Sequence, residues 1–320
     1  MPKSTANFIA YDMRPAKQTE RRGIVEYLNC ARSVGFPLSE YRYLGFGGTK
    51  FIDFQLMHKH VGFSSYQSVE QDHDLRARCV FNKPFQALNV YSGPFSDFIA
   101  ADVFPGNTVF WLDYEMCIGG ELLEDLNAAA LRAKDGDFFF VSISGELPPR
   151  FERSNDRIGI LRSRMPSLRD SINRLKPMQL TAQAFPETAG KLLLLMLKSS
   201  FAVRLVDGVF APSFKVIYKD STWMVTVGGV FVRNRSRRLS KLNASLRQSL
   251  SAMCPEKRDT FYRVPNFNFT QLERILLDKS DVSQRAGYIR RLISLGLSEE
   301  LLQEYERIAR FVPKFSEIAF

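Results

Sequence analysis

The sequence is poor in cysteine and histidine, the residues that most often build redox and metal sites. None of its four cysteines has the spacing of a metal or thiol-redox motif. They are Cys30, Cys79, Cys117 and Cys254. Of the three histidines, only His58 and His60 are close in sequence, and a separation of two places them on different faces of a helix. We therefore expect no metal site, and the scattered thiols are typical of a reducing compartment.

Long apolar runs are also absent. The longest aliphatic run, residues 192–197, is far shorter than the roughly 20 residues that a membrane span requires. The opening residues Met-Pro-Lys-Ser-Thr lack the apolar core of a signal peptide. We therefore expect a cytoplasmic protein with no membrane partner.

The positive charge of the chain is confined to two segments. Lysine and arginine number 44 and aspartate and glutamate 34, for a net charge of +10. Residues 150–176 carry a net charge of +5 and residues 233–247 carry +6, so the rest of the chain sums to −1. Such local basicity suits the phosphates of a nucleic acid, a protein partner, or solubility alone. Arg235, Arg237 and Arg238 are the candidate phosphate-binding residues of the second segment.

The middle of the chain alternates between continuous apolar runs and helical periodicity. Continuous runs are typical of strands buried in a parallel sheet, and their alternation with helices predicts an α/β fold with helices on both faces. The predicted strands cover residues 41–46, 64–70, 87–91, 108–114 and 137–144. Two later strands, 213–219 and 222–232, flank the turn signal Asp220-Ser221 and are expected to form an antiparallel hairpin.

Helical periodicity brackets this region on both sides. Residues 17–34 are expected to form a helix after an irregular arm, and residues 271–277, 284–295 and 299–311 indicate a helical tail. We therefore predict three parts. They are an N-terminal arm and helix over 1–40, an α/β domain over 41–232 with an Arg-rich insertion at 150–176, and a basic linker with a helical C-terminal region over 233–320.

A glycine-rich turn and an acidic residue fall at the ends of the first two predicted strands. Leu44-Gly45-Phe46-Gly47-Gly48 leads from the strand directly into a helix. Glycines allow a tight turn and close approach to a ligand, and a helix N-terminus favours a negative group. Glu70 ends the next strand, where a carboxylate accepts both hydroxyls of a ribose. An adenosine-containing ligand is favoured over a structural turn, although the spacing matches neither the dinucleotide nor the Walker motif.

The order of these elements resembles that of class I S-adenosylmethionine-dependent methyltransferases, in which an antiparallel hairpin closes a parallel sheet. The segments Arg14-Pro15-Ala16-Lys17-Gln18-x-Glu20-Arg21 and Tyr43-Leu44-Gly45-Phe46-Gly47-Gly48 are similar to bacterial O-methyltransferases. The resemblance covers roughly residues 12–232. It implies a Rossmann-like sheet of seven strands, S-adenosylmethionine as cofactor, and an unidentified acceptor with oxygen as the candidate methylated atom.

The resemblance also implies which residues meet the cofactor and the acceptor. The cofactor residues would be Gly45, Phe46, Gly47 and Gly48 at the methionine part, Glu70 at the ribose, and Phe95, Ser96 and Asp97 at the adenine. Asp113 and Tyr114, at the tip of the fourth strand, would lie between cofactor and acceptor. Asp113 is the candidate base and Tyr114 the candidate orienting residue. The alternatives are a structural carboxylate and a core aromatic, and Glu115 is a second acid in the same loop.

Several departures from known methyltransferase signatures restrict the function. Leu112-Asp113-Tyr114-Glu115 lacks the Asp-Pro-Pro-Tyr or Asn-Pro-Pro-Tyr signature, and no Pro-Cys pair occupies the methylating position, so N6-adenine and C5-cytosine methylation are not expected. The family usually has an acid two residues before the first glycine, where this chain has Tyr43. The alternative function is therefore a catalytically inactive methyltransferase-like protein that binds nucleic acid or a protein partner through its basic surfaces.

Three basic residues precede the sheet. Arg14, Lys17 and Arg21 share one helical face if the helix begins early enough. We expect them to meet the cofactor carboxylate or a substrate phosphate, and ordinary surface charge is the alternative.

Overall fold

Eight strands join in one sheet within the residues that the structure describes, which are 14–102, 104–147, 156–202, 208–233, 237–257, 259–278 and 282–313. The structure is a computed structural model. The strands are β1 (Arg42–Gly45), β2 (Ser65–Glu70), β3 (Leu88–Ser92), β4 (Thr108–Cys117), β5 (Phe138–Ser144), β6 (Val209–Lys219), β7 (Trp223–Val232) and β8 (Tyr262–Arg263). Their order is β3-β2-β1-β4-β5-β7-β6-β8, and β7 runs antiparallel to both of its neighbours.

The sheet confirms the predicted Rossmann-like class with its closing hairpin and adds an eighth strand to the predicted seven. That strand, β8, is two residues long and pairs in parallel with β6, with Tyr262 opposite Val216. So short an element has no periodicity that a sequence pattern could reveal. The hairpin is also longer than predicted, because β6 begins at Val209 and continues through an irregularity between Pro212 and Phe214. Proline has no backbone N–H to donate, which explains why the ladder shifts there.

Helices cover both faces of the sheet, and two hydrophobic cores result. One core includes α1 and the C-terminal helices, and the other includes α4, α5 and α8. The helices are α1 (Pro15–Ser33), α2 (Ile52–His60), α3 (Arg76–Phe81), α4 (Phe95–Ala101), α5 (Gly120–Arg132), α6 (Arg157–Arg164), α7 (Arg169–Asn173), α8 (Phe185–Ala202), α9 (Arg237–Ser249), α10 (Gln271–Leu277), α11 (Val282–Ser294) and α12 (Glu299–Ile308). Among the described helices, none has the length and apolarity that crossing a membrane demands.

Helices lie in both basic segments, the predicted Arg-rich insertion and the predicted basic linker. Helices α6 and α7 lie in the Arg-rich segment, and α9 begins at Arg237. Leu242 and Leu246 are buried on one side of α9 while Arg237 and Lys241 are exposed, which is the pattern of an amphipathic helix. Because basic residues dominate this segment of the sequence, the helical spacing of its leucines was not recognised and no helix was predicted there. Arg235, residues 1–13 of the predicted arm and residues 150–155 of the Arg-rich insertion lie outside the described residues.

The first turn of α1 is capped by a residue near the C-terminal end of the α/β domain in the sequence. Arg14, at the N-cap position, makes no side-chain cap. Instead, the two carboxylate oxygens of Asp220, in the β6–β7 turn, accept hydrogen bonds from the amides of Ala16 and Lys17, each at 3.0 Å. A carboxylate also complements the positive end of the helix dipole. Because β6 is parallel to β5, this contact fixes the start of α1 at the carboxyl-end edge of the sheet.

Removing this cap is expected to weaken the fold measurably. Asp220→Ala should lower the free energy of unfolding by about 1 kcal/mol, because two helix amides lose their acceptor. At roughly 2 °C per kcal/mol for a chain of this size, Tm should fall by about 2 °C. Circular dichroism on heating measures the change, with Thr222→Ala at an exposed position of the same turn as the control. An unchanged Tm would show that Asp220 does not hold the helix start.

Candidate active site

The candidate site lies where the carboxyl ends of β1 and β4 meet. β1 pairs with β2 on one side and with β4 on the other, so the strand order changes direction between β1 and β4. In open α/β sheets, ligands bind in the crevice beyond the carboxyl ends of the strands at such a point. The predicted glycine turn, Glu70 and Asp113 all lie at this edge of the sheet.

The glycine turn has no room for side chains. Gly45 lies opposite Trp111 in the β1–β4 ladder, and a Cβ on Gly45 would approach the carbonyl oxygen of Trp111 to 2.8 Å. The amide of Gly47 donates to Ser68 Oγ at 3.0 Å, and a Cβ on Gly47 would overlap the ring of Phe51. Gly48 has a φ of +52°, which side chains disfavour. A side chain at Gly45 or Gly47 would therefore displace neighbouring parts of the protein, and one at Gly48 would strain the backbone.

Glu70 lies at the end of β2 with its carboxylate held by the backbone. Its Oε1 accepts a hydrogen bond from the amide of Asp72 at 3.0 Å. Burial raises the pKa of Glu70, and the hydrogen bond from Asp72 opposes this effect. On the neighbouring α4, Phe95 is buried while Ser96 and Asp97 are exposed in the first turn. The arrangement suits a diol at Glu70 and a flat aromatic group beside α4.

Phe46 and Tyr114 join the glycine turn to β4. The ring centroid of Phe46 lies 5.7 Å from that of Phe95 and 5.0 Å from that of Tyr114, and both ring pairs are edge-on. Tyr114 is buried and donates its hydroxyl to Asp125 Oδ2 at 2.7 Å. Burial raises the pKa of Tyr114 well above its ordinary value, with Asp125 adding to the effect. Because side chains alternate along a strand, Tyr114 and Asp113 point to opposite faces of β4.

Asp113 contacts a lysine from the N-terminal helix. Lys17 Nζ lies 2.7 Å from Asp113 Oδ2 and 2.8 Å from Glu20 Oε2. The side chains of Lys17 and Glu20 are 5% and 0% exposed, whereas that of Asp113 is 20% exposed. We call Lys17, Glu20 and Asp113 the triad. Asp113 is thus the member through which a buried ionic group reaches the open edge of the sheet.

Neighbouring polar and aromatic groups hold the triad. Lys17 Nζ also donates to the hydroxyl of Tyr218 at 3.1 Å and lies 5.2 Å from the ring centroid of Trp111. Glu20 Oε1 accepts hydrogen bonds from Ser142 Oγ, at 3.0 Å, and from Thr226 Oγ1. Trp111, Ser142, Tyr218 and Thr226 belong to β4, β5, β6 and β7 in turn. Four strands therefore fix one helical turn of α1.

Burial and the neighbouring carboxylates act in opposite directions on the two buried triad members. Burial disfavours the charged form of Lys17, but Asp113 and Glu20 outweigh it and raise the pKa of Lys17 well above its ordinary value. Burial raises the pKa of Glu20, and Lys17 opposes that rise. Lys17 therefore stays an ammonium group at neutral pH.

The basic face predicted near the N-terminus points into the protein. Arg21 is buried and its Nε donates to Asp53 Oδ1 on α2. The alternative of ordinary surface charge is therefore wrong for Lys17 and Arg21, because both are buried against acids. Arg14 is partly exposed and donates to Ser221 Oγ at 3.1 Å. Contact of these residues with a cofactor carboxylate or a phosphate stays a prediction.

Sequence reasoning missed several residues of this site. Glu20 belongs to the quoted N-terminal motif, and its spacing of three from Lys17 on the buried side of α1 is a signal that was available. The remaining polar partners carry no motif, and only the fold brings them together. They are Asp53, Ser142, Tyr218 and Thr226.

The basic residues of α9 lie away from the triad and are partly paired. Arg238 lies 3.1 Å from Asp135 and over the ring of Phe36, and Arg247 lies 3.7 Å from Glu256. A phosphate-binding role for Arg237 and Arg238 stays a prediction. Across the described part of the chain, no cluster of three or more His, Cys, Asp or Glu side chains is arranged to hold a metal ion.

The chain is similar to a known protein family and to several solved structures. A family profile described as "Putative O-methyltransferase" matches residues 9–320. Trm1 of Pyrococcus horikoshii, solved with S-adenosyl-L-methionine, has a TM-score of 0.44 and 14% identity over 72% of this chain and 58% of its own length. The N-methyltransferase NodS of Bradyrhizobium japonicum WM9, solved with S-adenosyl-L-homocysteine, has a TM-score of 0.41 and 9% identity over 69% of this chain and 89% of its own. No curated protein sequence matches the chain. Because the family profile spans nearly the whole chain, the protein belongs to this O-methyltransferase family, a family of S-adenosylmethionine-dependent methyltransferases.

Proposed function

We propose that the chain methylates an oxygen atom of its acceptor, with the cofactor held at the ends of β1 and β2 and the acceptor beside Asp113. The observation that carries this proposal is the placement of two carboxylates around the glycine turn. Glu70, at the end of β2, is oriented by a backbone amide, and Asp113, in the second half of β4, is oriented by Lys17. The two groups therefore serve different partners.

The residues at this edge suit S-adenosylmethionine. The turn from Gly45 to Gly48 exposes backbone for the methionine part, Glu70 suits the ribose hydroxyls, and α4 begins with Phe95 beside the space for an adenine. The cofactor supplies a methyl group on a positively charged sulfur. The protein's part is to align the acceptor and to exclude competing water.

Asp113 is the group that would receive the proton of an acceptor hydroxyl. Its carboxylate is the part of the triad nearest solvent, and the ammonium of Lys17 fixes the position of Oδ2. The other oxygen, Oδ1, is then the atom for the acceptor. In the transfer, the O–C bond would form as the C–S bond breaks and leaves its electron pair on the sulfur. The proton of the acceptor would pass to Asp113, and its O–H electron pair would stay on the acceptor oxygen.

We further propose a cytoplasmic location and a macromolecular partner that binds at α9. All four cysteines are free, and three of them are buried, which fits a reducing cytoplasm. Arg237 and Lys241 are exposed on α9 and would be the first contacts of a nucleic acid or an acidic protein surface.

Removing the Glu70 carboxylate tests the cofactor site. Glu70→Ala should weaken S-adenosylmethionine binding at least about tenfold, because each hydrogen bond to a charged group contributes roughly 1.5–3 kcal/mol. Isothermal titration calorimetry measures the affinity. The matched control is Glu306→Ala, which removes an exposed carboxylate from α12. If Glu70→Ala and Glu306→Ala bind the cofactor equally well, the ribose does not lie at Glu70.

A further inference from the structure

The triad carries an unbalanced charge. Lys17 carries one positive charge, so the triad has a net charge of −1 when Glu20 and Asp113 are both ionised. Burial opposes the ionisation of Glu20, and Lys17 favours it. The neighbouring pair of Arg21 and Asp53 is neutral as a whole. A buried excess charge is costly unless a counter-charge or a proton balances it.

The ionic pair that faces the triad, Arg21 with Asp53, is neutral as a whole and so does not supply that balance. The two nearby tyrosines are neutral, because burial raises the pKa of each well above its ordinary value. The titratable groups that face the triad are Tyr43 on β1, Arg21 on α1, Asp53 on α2 and Tyr218 on β6. The excess negative charge of the triad is therefore accessible from outside only at Asp113, the one triad member with a partly exposed side chain.

Asp113 lies on β4 two residues beyond Trp111, the residue opposite Gly45 at the start of the glycine turn. Gly45 pairs with Trp111 in the β1–β4 ladder, so the residues after Gly45 run beside those after Trp111. The contact between Phe46 and Tyr114, at 5.0 Å between ring centroids, shows that turn and strand end are packed together. The turn would hold the methionine part of the cofactor, and that part carries the sulfur.

We propose that the net negative charge of the triad is the counter-charge for the sulfonium of S-adenosylmethionine, so that the site distinguishes this ligand from S-adenosylhomocysteine by charge. The inference rests on the proposed function. The two ligands differ by one methyl group and one positive charge. The triad therefore favours S-adenosylmethionine, the methyl donor, over S-adenosylhomocysteine, the product. Helix α1 thus takes part in cofactor selection although it lies outside the sheet.

The ratio of the two dissociation constants tests the inference. Glu20→Gln keeps the shape of the side chain, and its amide can turn its oxygen to Lys17 while its NH2 donates to the hydroxyls of Ser142 and Thr226. It changes the triad from −1 to neutral. The ratio of the S-adenosylhomocysteine Kd to the S-adenosylmethionine Kd should then fall at least about fivefold, because a unit charge acts strongly at short range in a partly buried site.

The matched control is Asp125→Asn, which removes a carboxylate from the opposite side of β4. It should leave the ratio unchanged. Asp113→Asn also neutralises the triad and has a side chain that reaches solvent, so it decides the question if Glu20→Gln does not fold. A purely structural role would weaken both ligands equally, and an unchanged ratio in both triad variants therefore overturns the inference. Wild-type protein that binds neither ligand would instead overturn the proposed function.

Discussion

Asp113→Asn is expected to reduce the rate of methyl transfer by a factor of about 10² to 10⁴, the range that positioned proton transfer contributes. The amide keeps the shape of the carboxylate but does not accept a proton from an acceptor hydroxyl at neutral pH. The affinity of the Asp113→Asn variant for S-adenosylmethionine should change far less than its rate of methyl transfer. The measurement is the transfer of tritium from S-[methyl-³H]adenosylmethionine to a small-molecule extract of the host cell.

The control for this variant is the neighbouring acid on the same strand. Glu115 is exposed near the end of β4, so Glu115→Gln changes the charge of the edge without altering the triad. Its rate should stay within a few-fold of wild type. The opposite result, with Glu115→Gln inactive and Asp113→Asn active, would assign the proton acceptor to Glu115.

Lys17→Met is expected to lower the free energy of unfolding by about 3–5 kcal/mol, the typical cost of removing one partner from a buried ion pair. Methionine has a similar length and is able to pack against Trp111 and Tyr218. Glu20, however, is fully buried and would lose the cation that lies 2.8 Å from its Oε2. Asp113 loses less, because its exposed face is open to water. Urea or guanidinium unfolding gives the free energy directly.

A second variant separates the unpaired charge from the lost packing. Lys17→Met with Glu20→Gln removes both buried charges of the triad, so the double variant should regain about 2 kcal/mol over Lys17→Met. Lys59→Met, at an exposed position of α2, should change stability by less than about 0.5 kcal/mol. If the effects of the two triad changes simply add, the energy does not come from an unpaired Glu20.

The sheet and the glycine turn were predictable because their signals are local. The run from Leu44 to Gly48 combines a strand end, a turn and a helix start within a few residues, and Glu70 follows at the next strand end. The hairpin was predictable because Asp220-Ser221 separates two apolar runs. In each case the deciding interactions are between residues close in sequence.

The ionic part of the site was not predictable in this way. Lysine and arginine are almost never fully buried unless they are paired, and no pattern near Lys17 or Arg21 shows where the pairing acids lie. Asp53 and Asp113 come from separate elements and meet α1 only through the fold. Tyr43 illustrates the same limit. Where related enzymes have an acid on β1, this chain has a buried tyrosine ring, and acids from other elements surround it.

The contacts of α1 also set an order of events during protein synthesis. The helix leaves the ribosome first, but Asp220, which caps it, lies 204 residues from Ala16, and Thr226, which binds Glu20, follows 206 residues after that glutamate. A nascent chain that has completed the glycine turn, Glu70 and Asp113 still lacks these two partners. Since long-range contacts of this kind form late, the triad should assemble only after β7 has emerged. A chain released before that point would display an unfinished site, with Glu20 lacking its partners on β7.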